Sequence, residues 1–238
     1  MRRFYAPPEN FKNENVFLSE DETRHLRDVL RLRSDETVKI FDGENREFIC
    51  EIEKIEKRQT LLRIIEEIAP TAPASNLYLT LAAAIVKGEK FDLVIQKAVE
   101  LGVKNFVPLV TKRCDVKIKD AEKKTERWNK IALEACKQSG RAELMKIKMP
   151  FEFDEFIQIA NGTKILFSER GGENFSKIPA ENKLTAVVGS EGGWEDSEIE
   201  LASANGFQIV TLGGRILRAE TAAISIAAIL QHRFGDLR

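Results

Sequence analysis

Histidine is almost missing from this chain: His25 and His232 are the only two in 238 residues. A zinc cluster or a serine–histidine–aspartate site would therefore have little to draw on. Cysteine is nearly as scarce. Cys50, Cys114 and Cys136 are odd in number and far apart, so no disulfide framework is expected. Metal-free chemistry and a reducing, cytoplasmic setting are the expectations that follow. An excess of charge is missing too, since 37 Lys and Arg stand against 38 Asp and Glu for a formal net charge of -1. The chain as a whole then exerts no pull on nucleic acid or an anionic membrane, and any basic surface must be local. No apolar run reaches membrane-spanning length; the longest, Thr221 to Leu230, reads as a buried helix. The opening MRRFYAPPEN has basic residues with no apolar core behind them, so no signal peptide is expected.

What is present is the composition of a soluble globular protein, 43% hydrophobic and 32% charged, long enough for one large domain or two ordinary ones. Up to about Ala69 the signals are mostly of strand type. ETVKIFDG and REFICEIEKI flank a plausible hairpin turn at Asp42 to Asn45, and QTLLRIIEEI adds a further strand. One helix interrupts them: Ser19 and Glu22 stand at capping-box spacing before Leu26, Val29, Leu30 and Leu32. Short strands with one helix predict a small β-barrel over residues 1–70. APTAPAS, Ala69 to Ser75, has linker chemistry and marks the boundary to a second domain over 76–238.

Beyond the boundary the pattern alternates. LYLTLAAAIV reads as a buried strand and EKFDLVIQKAVEL as an amphipathic helix closed by Gly102. NFVPLV is a strand whose proline points to an edge or strand end. TERWNKIALEACKQS and FDEFIQIA are helices; KILFSER and LTAVV are strands. A helix running to Asn205-Gly206, the strand FQIVTL and a helix from about Ala219 to Phe234 complete the series. Such alternation predicts an α/β fold, a parallel sheet covered on both faces.

In such sheets ligands bind outside the carboxyl ends of the strands. Three loops qualify: FSERGGEN after Leu166, GSEGGW after Val188 and GGRILRAE after Leu212. The second lacks the lysine and hydroxyl of a phosphate-binding loop, and its glycine spacing is not that of a dinucleotide fingerprint. These turns suit a ligand gripped through backbone N–H and C=O groups, although each could equally be a tight turn and nothing more.

LGGRILRAETAAISIAAIL is the most specific stretch of the chain. Together with RRFY, RHLRDVLRL, KGEKFDLVIQKAVELGV, EACKQSGR, GSEGG and the closing RFGD, it resembles the RsmE methyltransferases of the SPOUT superfamily over essentially the whole length. That family methylates N3 of a specific uridine, uracil 1498, in bacterial 16S ribosomal RNA with S-adenosyl-L-methionine. The resemblance implies a PUA-like RNA-binding barrel followed by a SPOUT-type parallel sheet with a C-terminal trefoil knot, which pattern alone would never propose. It also implies a homodimer and a substrate within the small ribosomal subunit, with no membrane and no metal.

Site residues follow from the same resemblance. Gly189 and Gly193 would let the backbone approach the cofactor, with Glu191 in the same loop. Leu212, Gly213, Ile216 and Leu217 would enclose its adenine, and Leu166, Phe167, Ser168 and Glu169 would form a third wall. Methylation at N3 requires loss of the N3 proton, and a fixed guanidinium at Arg218 would favour the resulting anion, with Glu220 orienting it. An ion pair is the bland alternative for Arg218, and no residue stands out as a general base. Arg2, Arg3, Arg24, Arg27, Arg31 and Arg33, with Phe4 and Tyr5, suit RNA contact, although Glu20, Asp21, Glu22 and Asp28 interleave with them as an ion-paired face would. Lys87 and Arg141 match family positions around the substrate cleft, and solvated charge at element ends is their alternative.

The chain departs from the family pattern at Ser190, Trp194, Glu195, Lys137 and the run TKRC, Thr111 to Cys114. Two rival functions are methylation of a ribose 2′-hydroxyl and cofactor-free RNA binding through the barrel. The whole-chain match disfavours the first and the intact glycine loops disfavour the second.

Overall fold

The computed structural model describes residues 1–116, 119–179 and 181–237. It divides into two compact units, Met1–Ala74 with Cys136–Leu144, and Ser75–Ala135 with Met145–Arg238. The segment Cys136–Leu144 returns to the first unit, whereas the linker chemistry of Ala69 to Ser75 puts it in the second domain. Long-range backbone bonds fix it within the first unit: Ala72 N–H donates to Gly140 O at 3.1 Å and Leu144 N–H to Gly43 O at 3.0 Å. Pairing across such a distance in sequence leaves no local pattern to read.

The first unit contains β1 (Arg3–Tyr5), β2 (Phe11–Lys12), β3 (Asn15–Leu18), α1 (Glu20–Arg24), β4 (Thr37–Phe41), β5 (Glu47–Ile55) and β6 (Thr60–Ile68). They form one mixed sheet in the order β1-β4-β5-β6-β3-β2. Alternate residues point inward: Val38 and Ile40, then Phe48, Cys50 and Ile52, meet Phe4, Val16, Leu18 and Leu62 in a single buried core. Register shifts between Ile49 and Cys50 and between Ile52 and Lys54 bend β5 against β6. The sheet shares a core as a barrel does, but no ladder joins its edge strands β1 and β2 among the described residues. Ser19 caps α1 as its spacing predicts, its Oγ accepting from Glu22 N–H at 3.3 Å. After Arg24 the helix widens into a π turn over His25–Val29, closed by Leu30 N–H to His25 O. The wider turn breaks the expected apolar stripe: Leu26 stays buried, but Val29 is 67% exposed.

The second unit contains β7 (Tyr78–Ala84), α2 (Glu89–Glu100), β8 (Asn105–Val110), α3 (Ala121–Ser139), β9 (Lys146–Ile147), β10 (Phe151–Glu152) and α4 (Phe153–Ile159). It continues with β11 (Thr163–Phe167), β12 (Glu173–Asn174), β13 (Lys183–Val188), α5 (Asp196–Ala204), β14 (Gln208–Thr211) and α6 (Ala219–Phe234). The last turn of α3, from Cys136, counts with the first unit. The sheet runs β10-β8-β7-β13-β11-β14-β12, with β9 also beside β8. Every ladder in it is parallel. Near-continuous burial of β7 and β13 is what a parallel sheet covered on both faces demands. α6 packs on α2, β7 and β13, and α4 on α5.

Pro108 does not put β8 at an edge, as its residue type led one to expect. On its outer side β8 pairs with β9 at Asn105 and Phe106 and with β10 at Leu109 and Val110. The partner is interrupted opposite Val107 and Pro108, so the missing N–H costs no ladder bond. No helix of the described residues is long and apolar enough to cross a membrane.

Candidate functional site

The carboxyl ends of β11, β13 and β14 carry the three loops singled out from sequence, and these loops meet the start of α6 in one cleft. Counted together with the open solvent at its mouth, its empty volume is about 570 Å³. Phe167, Ser168 and Glu169 come from the first loop, Gly189 and Gly193 from the second, and Leu212, Gly213 and Leu217 from the third. Ala219, Ala222 and Ile226 of α6 close the apolar side.

Local chemistry fixes each wall. Gly193 has φ +69, and a Cβ there would meet Glu169 Oε1 at 2.7 Å, so a side chain would be both strained and obstructed. A Cβ on Gly189 would lie 2.9 Å from the Trp194 ring. Trp194 is buried, packs on Phe153 at 5.0 Å between centroids and donates its Nε1–H to Phe167 O at 2.8 Å. That bond ties the second loop to the end of β11. Ser168 Oγ donates to Arg170 O at 2.8 Å and accepts from Arg170 N–H, so its hydroxyl serves the first loop's own turn. On its outer side the second loop is held by TKRC: Arg113 Nη1 donates to Gly192 O at 3.1 Å and Ser190 Oγ to Arg113 O at 3.0 Å.

The departures from the family pattern thus have local functions. Glu195 caps α5 in place of a serine, in a reciprocal capping box with Glu198. Lys137 forms an ion pair with Glu22, both side chains nearly buried. Cys114 donates its thiol to Ile85 O at 3.1 Å.

Several expected site residues lie elsewhere. Leu166 is wholly buried in the core between sheet and helices. Ile216 is 86% exposed and lines no wall of the cleft, and Glu191 lines a separate pocket with Lys87 and Arg113. Lys87 itself pairs with Asp115 at 3.2 Å. Arg3 and Arg141, expected at the RNA, are enclosed within the first unit. The Arg3 guanidinium donates to Glu47 Oε1 at 2.8 Å, Cys136 O at 3.0 Å and Arg141 O at 2.6 Å, and stacks on Phe41. The Arg141 side chain is 8% exposed, with Glu143 4.0 Å away. Arg24 pairs with Glu20, and Arg27 with Asp28. Arg2, Arg31 and Arg33 stay exposed.

Arg218 is the N-cap of α6, exposed, between the lining residues Leu217 and Ala219. It makes no hydrogen bond or ion pair among the described residues. The expected contact from Glu220 is absent, because that carboxylate turns to Lys90, with Oε1 3.7 Å from Nζ. Lys90 also donates to Glu191 Oε1 at 2.5 Å, and this hydrogen bond holds its ammonium above the usual lysine range. Sequence reading gave no site role to Lys90, Trp194, Thr211 or Arg215; the last three line the cleft. Trp194 carried a signal as a departure from pattern, and Lys90 and Arg215 stood inside quoted motifs without a role assigned to them.

A family model described as an RNA methyltransferase domain matches residues 73–231, and one described as an RNA methyltransferase PUA domain matches residues 18–65. Ribosomal RNA small subunit methyltransferase E of Aquifex aeolicus is 33% identical over 98% of this chain and 100% of its own. The protein of that name from Mesomycoplasma hyopneumoniae is 33% identical over 94% of this chain and 96% of its own. Among solved structures, ribosomal RNA small subunit methyltransferase E of Neisseria gonorrhoeae, bound to S-adenosyl methionine, superposes with a TM-score of 0.91 at 35% identity, covering 100% of both chains. A protein of Legionella pneumophila, in complex with the bound cofactor SAM, gives 0.91 at 36% identity over 99% of this chain and 98% of its own.

Proposed function

We propose that this chain, which belongs to the ribosomal RNA small subunit methyltransferase E family, methylates N3 of the family's uridine in 16S ribosomal RNA, on the assembled small subunit. The observation that carries the reading is the glycine-walled cleft with an unpaired guanidinium at its rim. Gly189 and Gly193 line the cleft where a Cβ would run into Trp194 or Glu169, so bare backbone faces the cleft there and fits a ligand held by backbone groups. Phe167, Leu212 and Leu217 offer apolar surface for an adenine. No lysine among the described residues lines the cleft, as suits a cofactor without phosphate. When bound, S-adenosylmethionine supplies an electrophilic methyl group.

The chain's own task is to favour the nucleophile. Loss of the uracil N3 proton leaves negative charge shared with O2 and O4, and Arg218, paired with no carboxylate among the described residues, stabilises that anion as it forms. The N3–H is more acidic than a ribose hydroxyl, so a cation can suffice without a dedicated base. The cysteines play no part: burial pushes the Cys50 thiol up to about 12 and Cys136 to about 11, and no cysteine lines the cleft. The first unit is assigned RNA binding through Arg2, Arg31 and Arg33.

Two further assignments belong to this reading. The C-terminal part is assigned a trefoil knot, and in support of it Arg233, near the end of α6, donates to Phe175 O, Ser176 O and Ile178 O at 2.6, 2.8 and 2.9 Å, all within the connection from β11 to β13. The working form is a cytoplasmic homodimer, supported by exposed Leu93 on α2 and Ile229 on α6, two helices that pack together.

Incubation with unmethylated small subunits and labelled cofactor, followed by mass spectrometry of the nucleosides, tests the reaction. The expected product is 3-methyluridine. Finding 2′-O-methyluridine would leave the fold standing and overturn the function.

A further inference from the structure

We propose that Lys90 is a positioning residue for methyl transfer: it engages Glu191 and Glu220 together, so that neither carboxylate neutralises Arg218. The inference rests on the role given to Arg218 above.

Four charged side chains gather beside the start of α6 from three elements. Lys90 stands in the first turn of α2, Glu191 in the glycine loop, and Arg218 and Glu220 at the start of α6. The Lys90 ammonium touches both acids, at 2.5 Å from Glu191 and 3.7 Å from Glu220. Arg218 touches neither, yet it is near enough for its charge to act against that of Lys90. The choice of partner matters because Glu220 is not an ordinary surface acid. Its side chain is only 13% exposed, and its Oε2 has no hydrogen-bond partner among the described residues. A carboxylate so withdrawn from water demands a cation close by. Without Lys90, Arg218 two residues away is the remaining cation of the group. Pairing there would cancel the charge needed by the uracil anion. The compact, flexible ammonium suits this bridging task, whereas the planar guanidinium is left to meet a planar anion.

The same bridge joins the glycine loop to the first turn of α6, because Glu191 lies between Ser190 and Gly192. Loop and helix start are thereby held in one register, which keeps the cofactor wall and Arg218 in a fixed relation.

Single-turnover transfer to small subunits at saturating enzyme and cofactor tests the proposal, with calorimetric cofactor affinity and thermal unfolding measured beside it. Lys90 is 41% exposed, so its replacement leaves the core untouched. Lys90→Ala should slow transfer about tenfold or more, a barrier change of about 1.4 kcal/mol or more, with the unfolding midpoint unchanged. Lys90→Arg should retain most of the rate. The decisive variant is Lys90→Ala with Glu220→Gln, which removes the competing carboxylate without restoring the lysine charge and should recover most of the lost rate. A silent Lys90→Ala, or a double variant no better than the single, would overturn the inference. Arg218→Ala run in parallel separates the two levels: if it transfers normally, the reading of Arg218 itself fails. If it is inactive while Lys90→Ala is silent, only the role of Lys90 fails.

Discussion

Arg3 in the first unit commits its whole guanidinium to the fold, with Glu47, two backbone carbonyls and the Phe41 ring around it. Arg218 in the second commits none of it, despite a carboxylate two residues away. The two side chains are chemically identical, and both stand in stretches that resemble family motifs. Their surroundings separate them. A buried guanidinium must be satisfied from within, and once satisfied it holds chain segments together and is closed to a ligand. An arginine at the mouth of a cleft keeps its donors for a partner that arrives later. Basic residues near aromatics are therefore a poor guide to RNA contact until burial is known.

That contrast can be broken most forcefully in the first unit. Glu47 is fully buried and accepts from Arg3, from Thr71 N–H at 2.6 Å and from Thr71 Oγ1 at 3.1 Å. Glu47→Ala strands the Arg3 charge and should cost about 3–5 kcal/mol in urea unfolding. Burial alone would raise the Glu47 pKa, but the Thr71 and Arg3 donors outweigh it and hold it below the usual carboxylate range. The carboxylate's contribution is therefore complete above the usual carboxylate range and lost as the pH falls through the lowered value. Wild type and variant should converge in acid; a constant gap down to pH 2 would remove the ionised pair from the account.

A smaller effect is expected at the cleft. Gly193→Val should weaken cofactor binding about tenfold or more, since a β-branched residue at positive φ alone costs about 1–3 kcal/mol and Glu169 obstructs its Cβ. Calorimetric affinity equal to wild type would take this loop out of the pocket. The smallest effect belongs to the exposed arginines of the first unit. Charge reversal at Arg31 and Arg33 should weaken RNA binding and flatten its salt dependence by ~0.7–0.9 per lost phosphate contact. The same reversal at Arg3 should damage the fold instead. An unchanged salt slope in the Arg31 and Arg33 variant would point to another RNA surface.

Much of the fold was legible because long strands and helices carry a period. β5, β6, β7, β13 and all the long helices lie where alternation or amphipathic spacing put them. Strands of two or three residues, such as β1, β2, β9, β10 and β12, have no period to detect. The return of Cys136–Leu144 was equally silent, because it depends on carbonyls that Arg3 reaches across the chain. At the site, glycines at strand ends marked the three loops. Exposure of Ile216, burial of Leu166 and the turn of Glu220 toward Lys90 were set by packing between elements, which no local pattern encodes.

The most direct test of the contrast is Arg218→Ala beside Arg3→Ala, with unfolding midpoint, cofactor affinity and single-turnover transfer measured on both. Arg218→Ala should lose transfer by a factor of ~10²–10³, as expected when one charge-stabilising donor is removed, while its midpoint and cofactor affinity match wild type. Arg3→Ala should show a lowered midpoint and, in the fraction that remains folded, near-normal transfer. Intact transfer by a folded Arg218→Ala would make that residue ornamental and contradict the account.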